Sequence, residues 1–317
     1  MTENKSLRAV YGETLVKLGE TNEKIVVLDA DLAQATMTHL FAAKFPGRFY
    51  NFGIAEANMV CASAGFAFEG FIPFVSTFAI FGAGRAYEQI RNSAAYAKAN
   101  VKFAFTHAGL SVGEDGGSHQ SIEDISLMRG IPGMTVFVPC DPVETEKVVK
   151  AAVEIDGPVY IRLARPVCPC ITKKDDPFIP GQANILKDID GLKKGSQISI
   201  FCTGLMVAEA LEATKQLEQQ GICASVVNFH TIKPFDAVTA LEQAKKTGAV
   251  LTVEEHSIIG GLGSAAAEAL AGKGDFKFER LGVMDKFGKS GTAKDLLREY
   301  GLTAENIAEN CKKLIRL

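Results

Sequence analysis

KIVVLDADL, Lys24–Leu32, is the stretch that decides the fold. Its apolar run reads as a buried strand, and it closes on two acids, Asp29 and Asp31. Upstream, Leu7, Val10, Tyr11, Leu15 and Leu18 recur at helical spacing. Downstream the pattern predicts a helix from about Ala55 to Phe68, a strand near Phe71–Val75, and a helix from about Ala83 to Lys98. VKFAFTHAG (Val101–Gly109), MTVFVP, a helix from Pro142 and PVYIRLARP (Pro158–Pro166) complete a first block. Strands alternating with helices of this length imply βαβ units and a largely parallel sheet. In such sheets ligands collect at the carboxyl ends of strands. Asp29, Asp31, His107 and Arg165 all fall at such ends.

A Pro- and Lys-punctuated connector, which includes CPCITKKDDPFIPGQ, follows, and a second α/β block starts after it. Its strands are SQISIFCTG, CASVVNFHTIKP and AVLTVEEHS, with helices near Val207–Gln219 and Ser264–Gly272. The expected architecture is two doubly wound three-layer αβα domains, residues 1–167 and 195–317, joined by a linker over 168–194. No internal repeat or low-complexity tract interrupts them.

The chain has 317 residues and a net charge of −3, with 34 basic and 37 acidic residues mixed along it. No basic stripe points to nucleic acid. The N-terminus has no apolar h-region. Seven scattered cysteines fit a reducing cytoplasm better than a disulfide framework. Met59–Gly84 is poor in charge, but Glu69, Gly70 and Pro73 break it below the length of about 20 apolar residues that a membrane span needs. The reading is a soluble, cytoplasmic protein.

Three segments carry chemistry. RFYNFGIAEANM (Arg48–Met59) sets Glu56 at the mouth of an almost wholly apolar run, CASAGFAF and then FIPFVSTFAIF. A lone carboxylate there should be poorly hydrated, and desolvation raises a carboxyl pKa until the group can hold and exchange a proton near neutrality. A helix N-terminal acid complementing the macrodipole is the competing reading. THAGLSVGEDGGSHQS (Thr106–Ser121) places two histidines, His107 and His119, with Glu114 and Asp115 on a Gly-rich loop beyond a strand. Imidazoles donate, accept and titrate near neutrality, which suits handling of hydroxyls and carbonyls. The twelve-residue separation lacks the short pairing of a metal site. Phe78 and Phe81 could face a flat heteroaromatic ring or simply fill core. Arg162 and Arg165 could fork onto a phosphate or serve as ion-pair partners.

Two motifs are set aside. Cys168-Pro-Cys170 has no second ligand pair at suitable spacing. Gly261, Gly263 and Ala266 satisfy G-x-G-x-x-A, with Glu279 downstream, but EEHSIIG separates them from the preceding strand, whereas a dinucleotide turn starts at the strand end.

Together, LDADL, GIAEANM, STFAIF, GEDGGSHQSIEDISLMRGIPGM, VPCDPVE, Arg165 and VVNFHTIKPFD resemble the second half of a transketolase over essentially the whole chain. The resemblance implies a pyrimidine-binding domain and the family's carboxyl-terminal domain, with thiamine diphosphate as cofactor. It implies that Glu56 hydrogen-bonds the pyrimidine N1′ and favours the tautomer that deprotonates the thiazolium. Phe78 and Phe81 match aromatics around that ring, and Asp31 an acid near the cofactor. His107 and His119 match histidines at the substrate's reacting end and hydroxyls. Asp115 matches an acid that recognises the 2-hydroxyl configuration, and Arg165 a substrate-phosphate arginine.

The departures are informative. A phosphate-holding serine of the family is replaced near Ala35, with Thr36 as neighbour, and a ring-pocket tyrosine falls at Gly84, with Tyr87 nearby. No Gly-Asp-Gly occurs, so the Mg²⁺ or other divalent cation has no cradle in this sequence, and its ligands are expected on another chain. The resemblance therefore implies the carboxyl-terminal subunit of a split transketolase, working with an amino-terminal subunit in an α2β2 assembly. Its reaction would move a two-carbon ketol unit between sugars or sugar phosphates. The alternatives are a 1-deoxyxylulose-5-phosphate synthase-like half, the β subunit of a 2-oxo acid dehydrogenase, and a noncatalytic nucleotide-binding regulator built on Gly261 and Gly263.

Overall fold

The computed structural model describes residues 4–189 and 197–316. Seven strands form the first sheet, in the order Thr231–Lys233, Thr135–Phe137, Val159–Arg162, Lys102–Phe105, Ile72–Ser76, Ile25–Asp29, Phe49–Asn51. All its pairings are parallel except that of Thr231–Lys233. A five-stranded sheet follows, in the order Lys277–Val283, Ala249–Ser257, Gln197–Cys202, Cys223–Asn228, Asn184–Lys187, parallel but for its last member. Two α/β domains with mostly parallel sheets are thus in place.

Period-two alternation feeds two apolar layers from each buried strand. Ile25 and Val27 join Phe74 and Ile161 under the helices Leu7–Thr21 and Pro142–Glu154. Val26 and Leu28 face the other way, toward Met59 and Val60 of the helix Glu56–Phe68. That second layer continues without a break through Phe201, Phe229 and Ile232 to Leu262 of the second domain. The two domains therefore share a core, and the sheet crossing by Thr231–Lys233 is part of the same seam.

Local expectations changed in three places. The helix expected over 83–98 begins at Ile80 and is wound as π-helix over Ile80–Arg85 and Ile90–Tyr96. At Gly82 the helix lies against Phe105, where any Cβ would overlap the aromatic ring. CASVVNFHTIKP divides between the two sheets rather than forming one strand. The connector is not structureless: Val167–Cys168 pairs with Lys5–Ser6, and Asn184–Lys187 edges the second sheet. Its expected end at Lys194 lies outside the described residues. Among those residues no helix is long and apolar enough to cross a membrane.

Gly82→Ala should lower the stability of the chain by about 1–3 kcal/mol, the usual cost of forcing a methyl into a packed core. A thermal melt checks this, and an unchanged midpoint would mean that the helix is free to shift away from Phe105.

Candidate active site

The carboxyl ends of the first sheet's strands gather most of the residues the sequence singled out. The helix Glu56–Phe68 starts just past the Phe49–Asn51 strand, so Glu56 sits in its first turn and is 2% exposed. It is buried as expected, but it is not alone. Both carboxylate oxygens accept from Arg85 Nη1 at 2.9 Å. The expectation of a bare carboxylate in apolar surroundings is corrected: the buried charge has a counterion, whose side chain is itself 50% exposed. The Arg85 guanidinium lies 4.8 Å from the Phe81 ring centroid, within cation–π range.

From Phe81 the contacts run on. Its ring stacks with Phe78 at 5.8 Å and 14°, and Phe78 stacks on the His107 imidazole at 3.8 Å. His119 meets Phe81 edge-on at 5.3 Å and Phe78 at 6.5 Å. Glu56, Arg85, Phe81, Phe78, His107 and His119 thus form one row. The strand ends make this possible. Phe78 bridges to Thr106 just beyond the Ile72–Ser76 and Lys102–Phe105 strands, and His107 turns out of line at φ +57°. Only a firmly held backbone keeps a non-glycine residue there.

His107 is 3% exposed. Burial first, then Arg8, Arg165 and His119, pull its pKa down to about 3. Its imidazole is therefore neutral at physiological pH, with Nδ1 paired to Thr106 Oγ1 at 2.8 Å. Arg165 donates to Val112 O and to Glu114 at 3.2 Å. Arg8, from the first turn of the helix Leu7–Thr21, donates to Ala35 O at 2.7 Å, and its Nε is buried without a partner. The two guanidinium groups here favour a bound anion.

Other residues fall outside the row. Asp31 is exposed and bonded to Asn51, in a small cleft with Leu32 and Ala35. Asp115 is exposed at the end of the 110–115 turn. Asp29 is buried and accepts from Leu32 N, Thr36 and Thr38, so Thr36 is committed to it rather than open to a ligand. Tyr87 packs against the core, and a Cβ on Gly84 would meet the Ile80 side chain at an ordinary contact distance of 3.8 Å. Arg162 takes its ion-pair alternative, bonding Asp124 at 2.8 Å and Ser121 O and Glu255 O behind the loop.

Sequence reading missed Arg8, Arg85 and Glu255. Arg85 had a signal, since it follows Phe81 by four and Phe78 by seven, one helical face. Arg8 had none. The G-x-G-x-x-A motif is explained away by its surroundings. Leu262 and Gly263 at the start of the helix Leu262–Leu270 donate their N–H groups to Glu254 at 2.7 and 2.8 Å. The position a pyrophosphate would need is filled by the chain's own carboxylate, and a Cβ on Gly261 would overlap it.

Fold and site define a class: an α/β protein with two mostly parallel sheets and an aromatic, histidine-bearing ligand site at strand ends. Residues 3–169 match the family described as transketolase, pyrimidine binding domain, and residues 188–307 the transketolase C-terminal domain. The chain is 48% identical over 96% of its length, and 95% of the relative's, to a Methanocaldococcus jannaschii protein provisionally named a transketolase C-terminal section. It is 43% identical to the 6-deoxy-6-sulfo-D-fructose transketolase subunit of a Clostridium species, over 96% and 93% of the two chains. Human transketolase is 36% identical over 97% of this chain, which spans 49% of that enzyme. A solved structure described as a split gene transketolase, inactive beta4 tetramer, superposes with a TM-score of 0.88 at 48% identity, covering 99% of each chain. The chain belongs to the transketolase family.

Arg85→Met should destabilise the isolated chain by about 2 kcal/mol, less than the ~3–5 of a fully buried pair because Arg85 is half exposed. Adding Glu56→Gln should recover much of that loss. A double-mutant melt checks the coupling, and additive effects would deny it. His107 titrates below the ordinary histidine value, so its contribution to stability is present above about pH 6.5 and lost as pH falls. His107→Asn should flatten the acid limb, by on the order of 2 kcal/mol between pH 6.5 and about pH 5 relative to the parent. Identical pH–stability curves would contradict a buried neutral His107.

Proposed function

We propose that this chain is the carboxyl-terminal subunit of a thiamine-diphosphate-dependent transketolase, moving a two-carbon ketol unit from a ketose or its phosphate to an aldose or its phosphate. The observation that carries the reading is the continuous row from buried Glu56 through the stacked phenylalanines to neutral His107. The residues fit the aminopyrimidine end of the cofactor. Phe78 and Phe81 offer near-parallel rings, and Glu56 is a buried acceptor whose present partner is half exposed. When bound, the cofactor supplies the electron sink that makes cleavage next to a carbonyl feasible.

This chain's residues have narrower tasks. Glu56 holds a proton at the pyrimidine N1′. Phe78 and Phe81 exclude water and fix the ring plane. His107, with Nδ1 occupied by Thr106, presents its other nitrogen to the substrate oxygens as a neutral donor or acceptor, and His119 works beside it. Asp115 takes the 2-hydroxyl side, Arg165 an anionic substrate end with Arg8 adding to the field, and Asp31 the cofactor rim. The diphosphate and its Mg²⁺ or similar cation would be held by an amino-terminal subunit in an α2β2 assembly, since no Gly-Asp-Gly is present. Relatives that match end to end, against half of the human enzyme, support a divided enzyme. A transketolase is favoured over the synthase and dehydrogenase alternatives by the named relatives, and over a nucleotide-binding regulator by Glu254 at the helix start. A cytoplasmic setting agrees with the seven cysteines, all among the described residues, being thiols rather than disulfides.

The test is ketol transfer with thiamine diphosphate and Mg²⁺, with and without the amino-terminal subunit, alongside pyruvate decarboxylation. Activity should require both chains and be ketol transfer. Full activity of this chain alone, or pyruvate as the substrate, would overturn the reading. Glu56→Gln should cut turnover of the complex by about a hundredfold or more while leaving assembly intact.

A further inference from the structure

The second domain contributes an acid to the histidine loop. At the end of the Ala249–Ser257 strand, Glu254 and Glu255 are both buried, and strand alternation sends them to opposite faces. Glu254 caps a helix of its own domain. Glu255 crosses to the first domain, where Oε1 accepts from Ser111 N at 2.5 Å, a contact between residues 144 apart in sequence. Gly109 lies against the same carboxylate: it holds φ +82°, and a Cβ would stand 2.5 Å from Oε1.

The contact falls where the loop closes. Gly109 N donates to Ser121 O at 2.8 Å, and Ala108 bridges to Ser121. Gly109 is two residues past His107 and Ser121 two residues past His119. Both histidines thus leave the same closure. Gln120 adds a second tie, donating to Leu110 O and Gly113 O at 3.3 Å and to Lys289 O of the second domain at 3.0 Å. Behind Glu255, Arg162 donates to its backbone carbonyl and to Ser121 O.

Glu255 is stabilised by Ser111 N and by the charge of Arg162, yet it remains a costly group to bury. Its Oε2 is buried with no partner, and an orphaned carboxylate oxygen is costly where an apolar side chain of the same size would be free of that cost. Burial also pushes its pKa up.

We propose that Glu255 is a positioning residue for the histidine loop, so that the carboxyl-terminal domain sets where His107 and His119 stand. The inference rests on the reading of that site given above, and its consequence is a role for the second domain in the chemistry of the first. The carboxylate touches neither histidine; it fixes the Gly109–Ser111 turn from which His107 departs and against which the His119 limb closes.

Three variants of the full chain separate positioning from folding. Glu255→Leu keeps the volume and removes the acceptor; Glu255→Gln keeps the acceptor; Glu254→Gln alters the neighbouring acid on the other face. Hydrogen exchange on the chain alone should show faster exchange across residues 107–121 in Glu255→Leu, with the Gln197–Cys202 strand still protected. Glu255→Gln should restore the loop, and Glu254→Gln should leave it unchanged. In the assembled enzyme, Glu255→Leu should lower kcat/KM by about tenfold to a hundredfold, the range expected for misplaced groups, with thiamine diphosphate affinity unchanged. If Glu255→Leu does not fold, Glu255→Ala gives the same comparison. Wild-type loop exchange in the variant, or loss spread evenly over both domains, would overturn the proposal. Exchange is read without any assay, so a loop that responds in a chain whose complex with the amino-terminal subunit shows no ketol transfer would overturn the transketolase reading and leave the positioning role standing.

Discussion

The site depends on keeping one negative charge, Glu56, buried at the edge of an apolar layer. A carboxylate taken out of water is tolerated only with a partner, and Arg85 supplies it. The guanidinium then lies against Phe81, which orders the stack through Phe78 to His107. Acid, rings and imidazole are therefore one mechanical unit. The wide π-helical turn over Ile80–Arg85 brings Phe81 and Arg85 to it, and Gly82 lets that turn rest on Phe105.

The second constraint is the core shared by the domains. Because the apolar layer beneath Glu56–Phe68 runs on to Leu262, the two sheets cannot be repositioned independently without opening a packed interior. The buried acids at the end of the Ala249–Ser257 strand use that rigidity differently. Glu254 stays at home on a helix start, and Glu255 reaches the loop of the other domain.

Much of this was legible in the sequence. The alternation of buried strands and helices specifies a mostly parallel sheet, and with it the strand ends at which His107 and Arg165 stand. Glu56, His107 and His119 could be singled out because their residue types sit oddly against apolar or Gly-rich neighbours, whereas Phe78 and Phe81 read as core by themselves and gained a role only from the family resemblance. Arg85 was hidden because an arginine on a helix usually reads as solvated surface. Glu255 was hidden because its partner is 144 residues away, and no local pattern encodes such a contact. The partition of CASVVNFHTIKP between two sheets was likewise set by packing across the shared core. Thr36 looked available beside Ala35 until the fold placed Asp29 against it.

The central claim is that Glu56 serves a ring bound against Phe78 and Phe81. The most direct measurement is a crystal structure of this chain assembled with its amino-terminal subunit, thiamine diphosphate and Mg²⁺. The account predicts the aminopyrimidine beside the two phenylalanines with its N1′ in hydrogen-bond reach of the Glu56 carboxylate. A ring bound elsewhere, with Glu56 still closed on Arg85 and out of its reach, would contradict it.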